Sequence, residues 1–433
     1  MKINFLESKP LVKRLASATF WSLLATVFLR GSSLISSILI ARLLGQKSFG
    51  EFAMINSTIV ALGNFAGFGL GITTTKYVAE LRLSNPLRLG NVLGLCNIIT
   101  IIIGAFFSFI IFVFSSTLAS NFLNSPQLIN ALRLGCLLIF FNAIHEMQIG
   151  ILSGFEAYKN LAKVNFFSSL INVLFPIIGA WLYDLNGAMF AMIFITFLNC
   201  LLCDFTLKNE YKKYNIKLIY SRLAFQEIKI IHKFTLPNFL NNILVAPVLW
   251  LGNTALAHQP NGYSEIAVFN AANQYRSLLL FLPLIIGRIS LPIFSSVLSE
   301  NKKKSTVKTF IITVLSSILI ILPIASLMSI FSEQLMIVYG SEFGKYGSVL
   351  IVMLIGLSLN GITAPIGNLI IASGKIWLGF FMNLSWAILF LIFTWIFTQK
   401  NLGAFGLALS YTIAYTLHSV WVFFHGIKIL RSL

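Results

Sequence analysis

Five ionisable side chains stand deep inside long apolar runs: Arg30, His145, Glu146, Arg276 and Arg288. Three are arginines, whose guanidinium stays charged and offers paired donors, the chemistry that holds a phosphate or a similar oxyanion. The other two, a histidine beside a glutamate, can gain and lose a proton. If the surrounding runs cross a membrane, an unpaired charge at mid-bilayer costs at least about 2.5 kcal/mol, which makes such positions functional candidates.

Composition places those runs in a membrane. The chain has 433 residues, of which 57% are hydrophobic and only 10% charged, and its mean hydropathy is +0.87. A soluble fold of this length needs a charged surface that 13 Asp+Glu and 31 Lys+Arg cannot supply. The net charge of +18 would suit nucleic acid if it formed a stripe on a soluble domain, but the basic residues cluster between apolar runs. They point to membrane lipids, not nucleic acid.

Hydropathy predicts an all-α polytopic membrane protein with about 12 transmembrane helices. The first six spans are Ala18 to Ile40, Glu51 to Gly71, Leu89 to Leu118, Leu132 to Leu152, Val164 to Tyr183 and Ala188 to Asp204. The second six are Phe234 to Ala257, Ile266 to Leu298, Val307 to Phe331, Ser348 to Ile371, Trp377 to Phe397 and Ala404 to Phe424. The first run is too long for a signal-peptide core and lacks a small-x-small cleavage site, so it reads as a retained helix. With the N-terminus inside, the cytoplasmic side receives most basic residues, among them Lys2, Lys13, Arg14, Lys208, Lys212, Lys213, Lys217, Arg222 and Lys302. The outer side receives only Arg42, Lys47, Arg133, Lys345 and Lys400. A missed or extra span would scramble that bias, so both termini are expected in the cytoplasm.

Depth ranks the candidate charges. Arg30 lies near the centre of its span with no acidic residue one helical turn away. A water-filled, anion-attracting lumen is favoured there over a structural pair with a distant carboxylate such as Glu146. Counting from Glu265 at 1.5 Å per residue puts Arg276 about 16 Å deep, near the midplane, and Arg288 about 34 Å away, near the cytoplasmic boundary. Arg288 is therefore balanced between a substrate role and snorkelling to headgroups. Pro283 and Gly287 are expected to bend this helix. His145 and Glu146, being adjacent, point about 100° apart, so only one is expected to face a lumen. Each reads either as a protonatable coupling site or as a hydrogen-bonded packing residue. Gly63, Gly67 and Gly71 form a GxxxGxxxG face, most simply a close helix contact. Asp204 and Lys208 read as an i,i+4 pair, and Glu51 and Glu265 as carboxylates favoured at helix starts.

Several chemistries are not supported. All four cysteines fall inside predicted helices, and Cys200-Leu-Leu-Cys203 matches CxxC by letter only. No HExxH, P-loop or GxSxG occurs, and His145-Glu146 lacks the second histidine of a zincin. The longest outer connection, about Ala119 to Asn130, is too short for a separate catalytic domain. No enzyme, cofactor or metal site is expected.

The chain also divides in two. A basic cytoplasmic connector over residues 207–233, read as an amphipathic helix on anionic headgroups, separates an N-terminal six-helix lobe (1–206) from a C-terminal one (234–433). Three short likenesses recur at nearly constant offset: Phe49-Gly50-Glu51 with Tyr263-Ser264-Glu265, Ile151-Leu152-Ser153-Gly154 with Ile371-Ala372-Ser373-Gly374, and Gly187-Ala188 with Gly403-Ala404. Six spans per half is an even number, so the lobes are expected to be related by a pseudo-two-fold along the membrane normal, with a substrate path between them. Its charges are mainly cationic, which favours an anion over a drug cation.

Ala41-Arg42-Leu43-Leu44-Gly45 followed by Phe49-Gly50, then Lys76-Tyr77-Val78-Ala79-Glu80, then Tyr263 through Arg276 leading to Leu291-Pro292, form a pattern with Ile371-Ala372-Ser373-Gly374-Lys375 and Gly403-Ala404-Phe405-Gly406. In it the chain resembles the Wzx-type polysaccharide and O-antigen flippases of the multidrug/oligosaccharidyl-lipid/polysaccharide exporter superfamily. The likeness spans almost the whole chain, through loose glycine-based motifs. It implies alternating access, in the bacterial inner membrane, of an undecaprenyl-pyrophosphate-linked oligosaccharide moved to the outer leaflet through a cationic cavity. It also implies Arg30 and Arg276, and less securely Arg288, as substrate-binding residues, and other polysaccharide assembly proteins as partners. Coupling to a proton or sodium gradient is an open addition, with Glu146 and His145 as its candidate sites. The competing readings are a lipid II-type flippase, which generally has two further helices; a multidrug exporter, expected to show lumen carboxylates; and a polytopic polysaccharide polymerase or ligase, expected to carry a large outer loop.

Overall fold

Where the chain breaks its helices determines the architecture. The computed structural model describes residues 5–220, 224–236, 239, 243–299 and 303–432. Of the expected cytoplasmic charges, Lys2, Arg222 and Lys302 lie outside the described residues. The helices are α1 (Phe5–Gly67), α2 (Leu70–Leu81), α3 (Pro86–Thr117), α4 (Ile129–Gly154) and α5 (Tyr158–Lys213). After a connecting segment come α6 (Val245–Ala257), α7 (Gly262–Leu279), α8 (Phe281–Ser299), α9 (Lys303–Ile330), α10 (Ser332–Ile337), α11 (Gly347–Ala372), α12 (Ile376–Gln399) and α13 (Gly403–Ser432).

Eight helical stretches among the described residues are long and apolar enough to cross a membrane. Two of them are too long for one crossing. Thr26–Gly67 has 42 residues and Tyr158–Lys213 has 56, which at 1.5 Å each would reach about 63 and 84 Å against roughly 30 Å of hydrocarbon. Each contains a break. In α1 Gly45 adopts φ 74°, ψ 171°, a conformation open to glycine. In α5 Tyr183 and Asp184 leave helical geometry, Asp184 at φ 49°. Gly179 and Gly187, on either side of that break, meet backbone to backbone, so α5 folds back on itself. Other boundaries follow local rules: Pro86 opens α3, and Asn85 Oδ1 caps it by accepting from the Arg88 N–H at 3.0 Å.

The eighth predicted span is two helices. It breaks at Leu280, ahead of the expected bend between Pro283 and Gly287. Pro283 has no N–H to give the Leu279 carbonyl, so the ladder ends there.

By its contacts the chain forms two compact units. The first comprises Met1–Leu43 and Ile55–Ala246, the second Leu44–Met54 and Pro247–Leu433. In the first, α2 packs on α4 through residues too small to keep backbones apart. Gly150 lies on the Gly71 carbonyl, Gly154 on Val78, and the Thr75 hydroxyl donates to the Gly150 carbonyl at 2.9 Å. The expected Gly63, Gly67, Gly71 face is interrupted, because the chain leaves helical geometry at Phe68 (φ 45°) and Gly69 (φ 66°); the close backbone contact is made by Gly71 alone, against Gly150. A core of Leu70, Val78, Leu89, Leu93, Leu152 and Phe155 surrounds it.

In the second unit, α8, α9, α11, α12 and α13 share a core around Phe294, Ile366, Leu369 and Met382. The Leu44–Met54 segment belongs here. Gly50 rests on the Tyr263 carbonyl, and the Phe49 ring lies 6.0 Å from Tyr339 and 6.3 Å from Phe343. Glu265 opens α7 and also caps another helix, accepting from the Ala404 N–H at 2.7 Å and the Tyr346 hydroxyl at 3.2 Å. Large apolar side chains such as Trp181, Phe190, Leu319 and Trp395 point outward, as lipid-facing helices require.

Among the described residues the connector is not one continuous helix: it is helical at its two ends, through Lys213 and again over Ala224–Ile228 and Ile231–Thr235, and extended between. Helix α5 continues to Lys213, and the chain then runs extended along α3, where Gly90 admits the Lys217 carbonyl and Gly94 the Ile219 carbonyl. The Ile219 N–H donates to the Gly90 carbonyl at 3.2 Å, Asn97 donates to the Tyr220 hydroxyl at 2.8 Å, and Arg88 pairs with Glu227 at 2.7 Å. Backbone groups satisfied by α3 need no helix of their own. Further on, the Thr73 and Thr235 hydroxyls bond at 2.9 Å, and the Lys76 ammonium sits 4.1 Å from the centre of the Phe234 ring.

Candidate functional site

Arg276 occupies the last turn of α7, half-buried, where a cation is favoured by the helix dipole. The helix that carries it is held closely: Ala267, Ala271 and Ala272 are fully buried, and the Tyr275 hydroxyl donates to the Leu335 carbonyl at 2.7 Å. Helix α13, which packs against α7, carries two phenols, Tyr411 and Tyr415. Their rings lie 4.6 Å apart, with Trp386 of α12 at 5.0 Å from Tyr415 and 6.2 Å from Tyr411. Phe390 stacks on Trp386 at 5.8 Å, and His418 meets Tyr415 edge-on at 5.9 Å.

This cluster is unusually rich in unused hydrogen-bonding capacity. Buried and without a partner are Trp386 Nε1, His418 Nδ1 and, one turn before Arg276, Asn273 Oδ1. Each such atom has a desolvation cost that a polar ligand or water would offset.

In the first unit, Glu146 is exposed on α4 and set against glycines: its carboxylate occupies the space a Gly67 side chain would fill, and its Cγ and carbonyl lie against Gly71. His145 points elsewhere, with Nε2 buried and unpartnered. The two neighbours thus face different surroundings, in line with their 100° separation. Arg30 is exposed on α1. Arg288 lies on α8, and its side chain is outside the described residues. The structure therefore sets Arg30, His145 and Glu146 in one unit and Arg276 in the other. Asp204 and Lys208 form the expected i,i+4 pair at 2.9 Å. No group of three His, Cys, Asp or Glu able to hold a metal occurs among the described residues.

Sequence reasoning missed Tyr411, Tyr415, His418 and Trp386. A signal was present: residues 411, 415 and 418 follow the i, i+4, i+7 spacing of one helix face, but in so aromatic a chain such a stripe reads as packing.

Comparison with known proteins agrees with this architecture. A family model described as polysaccharide biosynthesis protein matches residues 39–348. The EPS I polysaccharide export inner membrane protein EpsE of Ralstonia solanacearum is 22% identical over 412 residues, covering 94% of this chain and 93% of that protein. The lipid III flippase of Escherichia coli is 24% identical over 181 residues, 42% of this chain and 43% of that protein. Among solved structures, a multidrug resistance MATE family transporter of the MOP superfamily, in an inward-facing conformation, superposes with a TM-score of 0.80 at 16% identity. That match covers 94% of this chain and 95% of the other. The chain thus has the all-helical MOP-superfamily fold of a polytopic membrane protein and belongs to the polysaccharide biosynthesis protein family.

Proposed function

We propose that this chain is a flippase that carries an undecaprenyl-pyrophosphate-linked oligosaccharide from the cytoplasmic to the outer leaflet of a bacterial inner membrane by alternating access. The observation that carries the reading is the setting of Arg276: a half-buried guanidinium at the end of α7, whose one carboxylate, Glu265, is engaged at the opposite end with Ala404 and Tyr346. The helices α6, α8, α9, α11, α12 and α13 contain no aspartate or glutamate at all. A site so composed attracts an anion, whereas a multidrug exporter is expected to present carboxylates to its cationic cargo. The relatives, an export protein and a flippase, are not enzymes and support the same direction.

In this reading twelve spans form two six-helix lobes related by a pseudo-two-fold along the membrane normal, with both termini cytoplasmic. The breaks at Gly45 and Asp184, which divide the two overlong helices, support that count. Arg30, Arg276 and Arg288 hold the pyrophosphate, sugars fill the hydrated cavity, and the lipid tail stays among the helices. Moving two negative charges outward gains about 4 to 5 kcal/mol from 100 mV, inside negative. Glu146 and His145 are the sites at which a proton or sodium ion would couple.

The test is transbilayer movement of a labelled undecaprenyl-pyrophosphate oligosaccharide in proteoliposomes, comparing the intact protein with Arg30→Ala and Arg276→Ala proteins that insert equally. Translocation falls by more than about tenfold in both if each arginine holds the cargo. An intact protein that lengthens or transfers the glycan without moving it would refute the transporter reading.

A further inference from the structure

We propose that a cavity at one end of the second unit is a docking site for a single neutral sugar ring, built around the carboxylate of Glu265. The inference rests on the flippase reading only for why a glycan would reach this end, which the orientation proposed above puts on the outer side. The lining of the cavity carries the rest.

The cavity has a volume of about 220 Å³ and lies where α7, α11 and α13 begin and α12 ends, wholly within the second unit. At roughly 30 Å³ per water molecule that is room for about seven waters or one pyranose, and it falls below the roughly 300 Å³ at which pockets for drug-sized ligands begin. Its lining combines one carboxylate, Glu265, with the amides of Gln259 and Asn401, the Ser348 side chain and the rings of Tyr346 and Phe405. A sugar ring calls for that mixture, since its hydroxyls both donate and accept while its C–H face packs on an aromatic ring.

The polar groups are already oriented, with capacity left over. Glu265 accepts from the Ala404 N–H at 2.7 Å through Oε2 and from the Tyr346 hydroxyl at 3.2 Å through Oε1. Both donors are neutral, and each carboxylate oxygen keeps a second lone pair for a sugar hydroxyl. Gln259 donates to the Thr398 carbonyl at 2.7 Å, which ties the turn before α7 to the end of α12 and leaves the side-chain oxygen of Gln259 as an acceptor. Another part of the rim is a tight turn: the Asn401 N–H donates to the Thr398 carbonyl at 3.0 Å, and Asn401 and Gly403 hold φ of 52° and 55°. At Gly403 the Glu265 carboxylate stands where a side chain would be. A pocket fixed in this way needs little ordering when it is filled. Phe405, 37% exposed, leaves part of its ring for packing. A bare cation would need oxygens converging at bonding distance, whereas this space is wide and its carboxylate already faces N–H and O–H donors. A uronic acid would bring a second negative charge against Glu265, so the site selects neutral rings.

The test is saturation-transfer NMR on the full-length protein in detergent with free monosaccharides as probes, comparing glucose, galactose, mannose and N-acetylglucosamine with glucuronic and galacturonic acids. The unsubstituted protein should bind at least one neutral sugar with a Kd on the order of 1 to 10 mM, and the acids more than about tenfold more weakly. Ser348→Trp, which fills the cavity from an exposed position, should abolish that binding, and Phe405→Ala should weaken it by about threefold to tenfold. Glu265→Gln should weaken the neutral sugar about tenfold and bring the acids level with it, a change of selectivity that loosening of α13 alone would not produce. Unfolding midpoints in detergent close to that of the unsubstituted protein show that each variant is folded. No neutral sugar bound, acids bound equally well, or binding that survives Ser348→Trp overturns the inference, and glycan movement in proteoliposomes alongside any of these leaves the flippase reading standing without this site. Sugar bound and lost as expected, with no glycan movement by the unsubstituted protein, sustains the site and refutes the flippase reading instead.

Discussion

Gly71 of α2 and Gly150 of α4 touch through their backbones, so that a methyl group added at Gly150 would overlap the Gly71 carbonyl oxygen and the Thr74 hydroxyl. That contact sets the spacing of the two helices and allows the Thr75 hydroxyl to reach the Gly150 carbonyl. Between apolar helices in lipid there is no hydrophobic drive, and close packing takes its place.

Gly150→Val should therefore destabilise the protein by about 1 to 3 kcal/mol or more, because neither backbone can retreat. Gly367→Ala is the matched control, since a side chain there meets nothing within 4 Å, and it should be neutral or slightly stabilising. Thermal unfolding in detergent separates the two. Equal midpoints for both variants would mean that the α2–α4 contact does not hold the unit together.

Arg82 and Arg88 both pair with glutamates, yet they should differ in worth. Arg82 is 7% exposed and donates to the Gly154 carbonyl at 2.8 Å as well as to Glu156, pinning the turn after α4. Arg82→Ala should cost about 1.5 to 3 kcal/mol by leaving that carbonyl without its charged donor, and Arg82→Lys should not restore it because one ammonium cannot reproduce the fork. The Arg88 side chain is 46% exposed, and Arg88→Ala should cost under about 1 kcal/mol. Chemical denaturation of the three variants gives the comparison.

How much of this was legible depended on whether a feature was local. The membrane class and a break between the first two spans, found at Gly45, follow from hydropathy within one stretch of chain, whereas the Gly63, Gly67, Gly71 spacing hid a helix break at Phe68 and Gly69. The path of the connector does not. Gly90 and Gly94 repeat the same GxxxG spacing, but what fills their groove is a carbonyl more than 120 residues later in sequence, and basic composition alone suggested a surface helix. The Arg276 cluster shows the same division. The arginine was evident because charge is rare in these spans, whereas the packing of α13 beside α7 emerges only from the structure.

Gly94→Val should push the Ile219 carbonyl out of its groove and free the connector from α3. Tryptic cleavage at Lys217 of the solubilised protein should then rise several-fold, since proteolysis follows the population of the opened segment. A displacement with a free-energy cost of about 1.4 kcal/mol corresponds to a tenfold change in that population. Unchanged cleavage would show that the segment does not depend on the glycine groove.

Gly67 and Glu146 provide the last test, because the carboxylate fills the space left by the absent side chain. The end of a glutamate can swing aside, so Gly67→Ala should fold normally while moving Glu146 from its present position. If Glu146 couples an ion to transport, both Gly67→Ala and Glu146→Gln should reduce the dependence of glycan movement on an imposed proton or sodium gradient. The contribution of Arg276 to pyrophosphate binding should be unaffected, since Arg276 belongs to the other unit. Transport that keeps its full gradient dependence in Glu146→Gln would remove this residue from the coupling mechanism and leave the role of Arg276 intact.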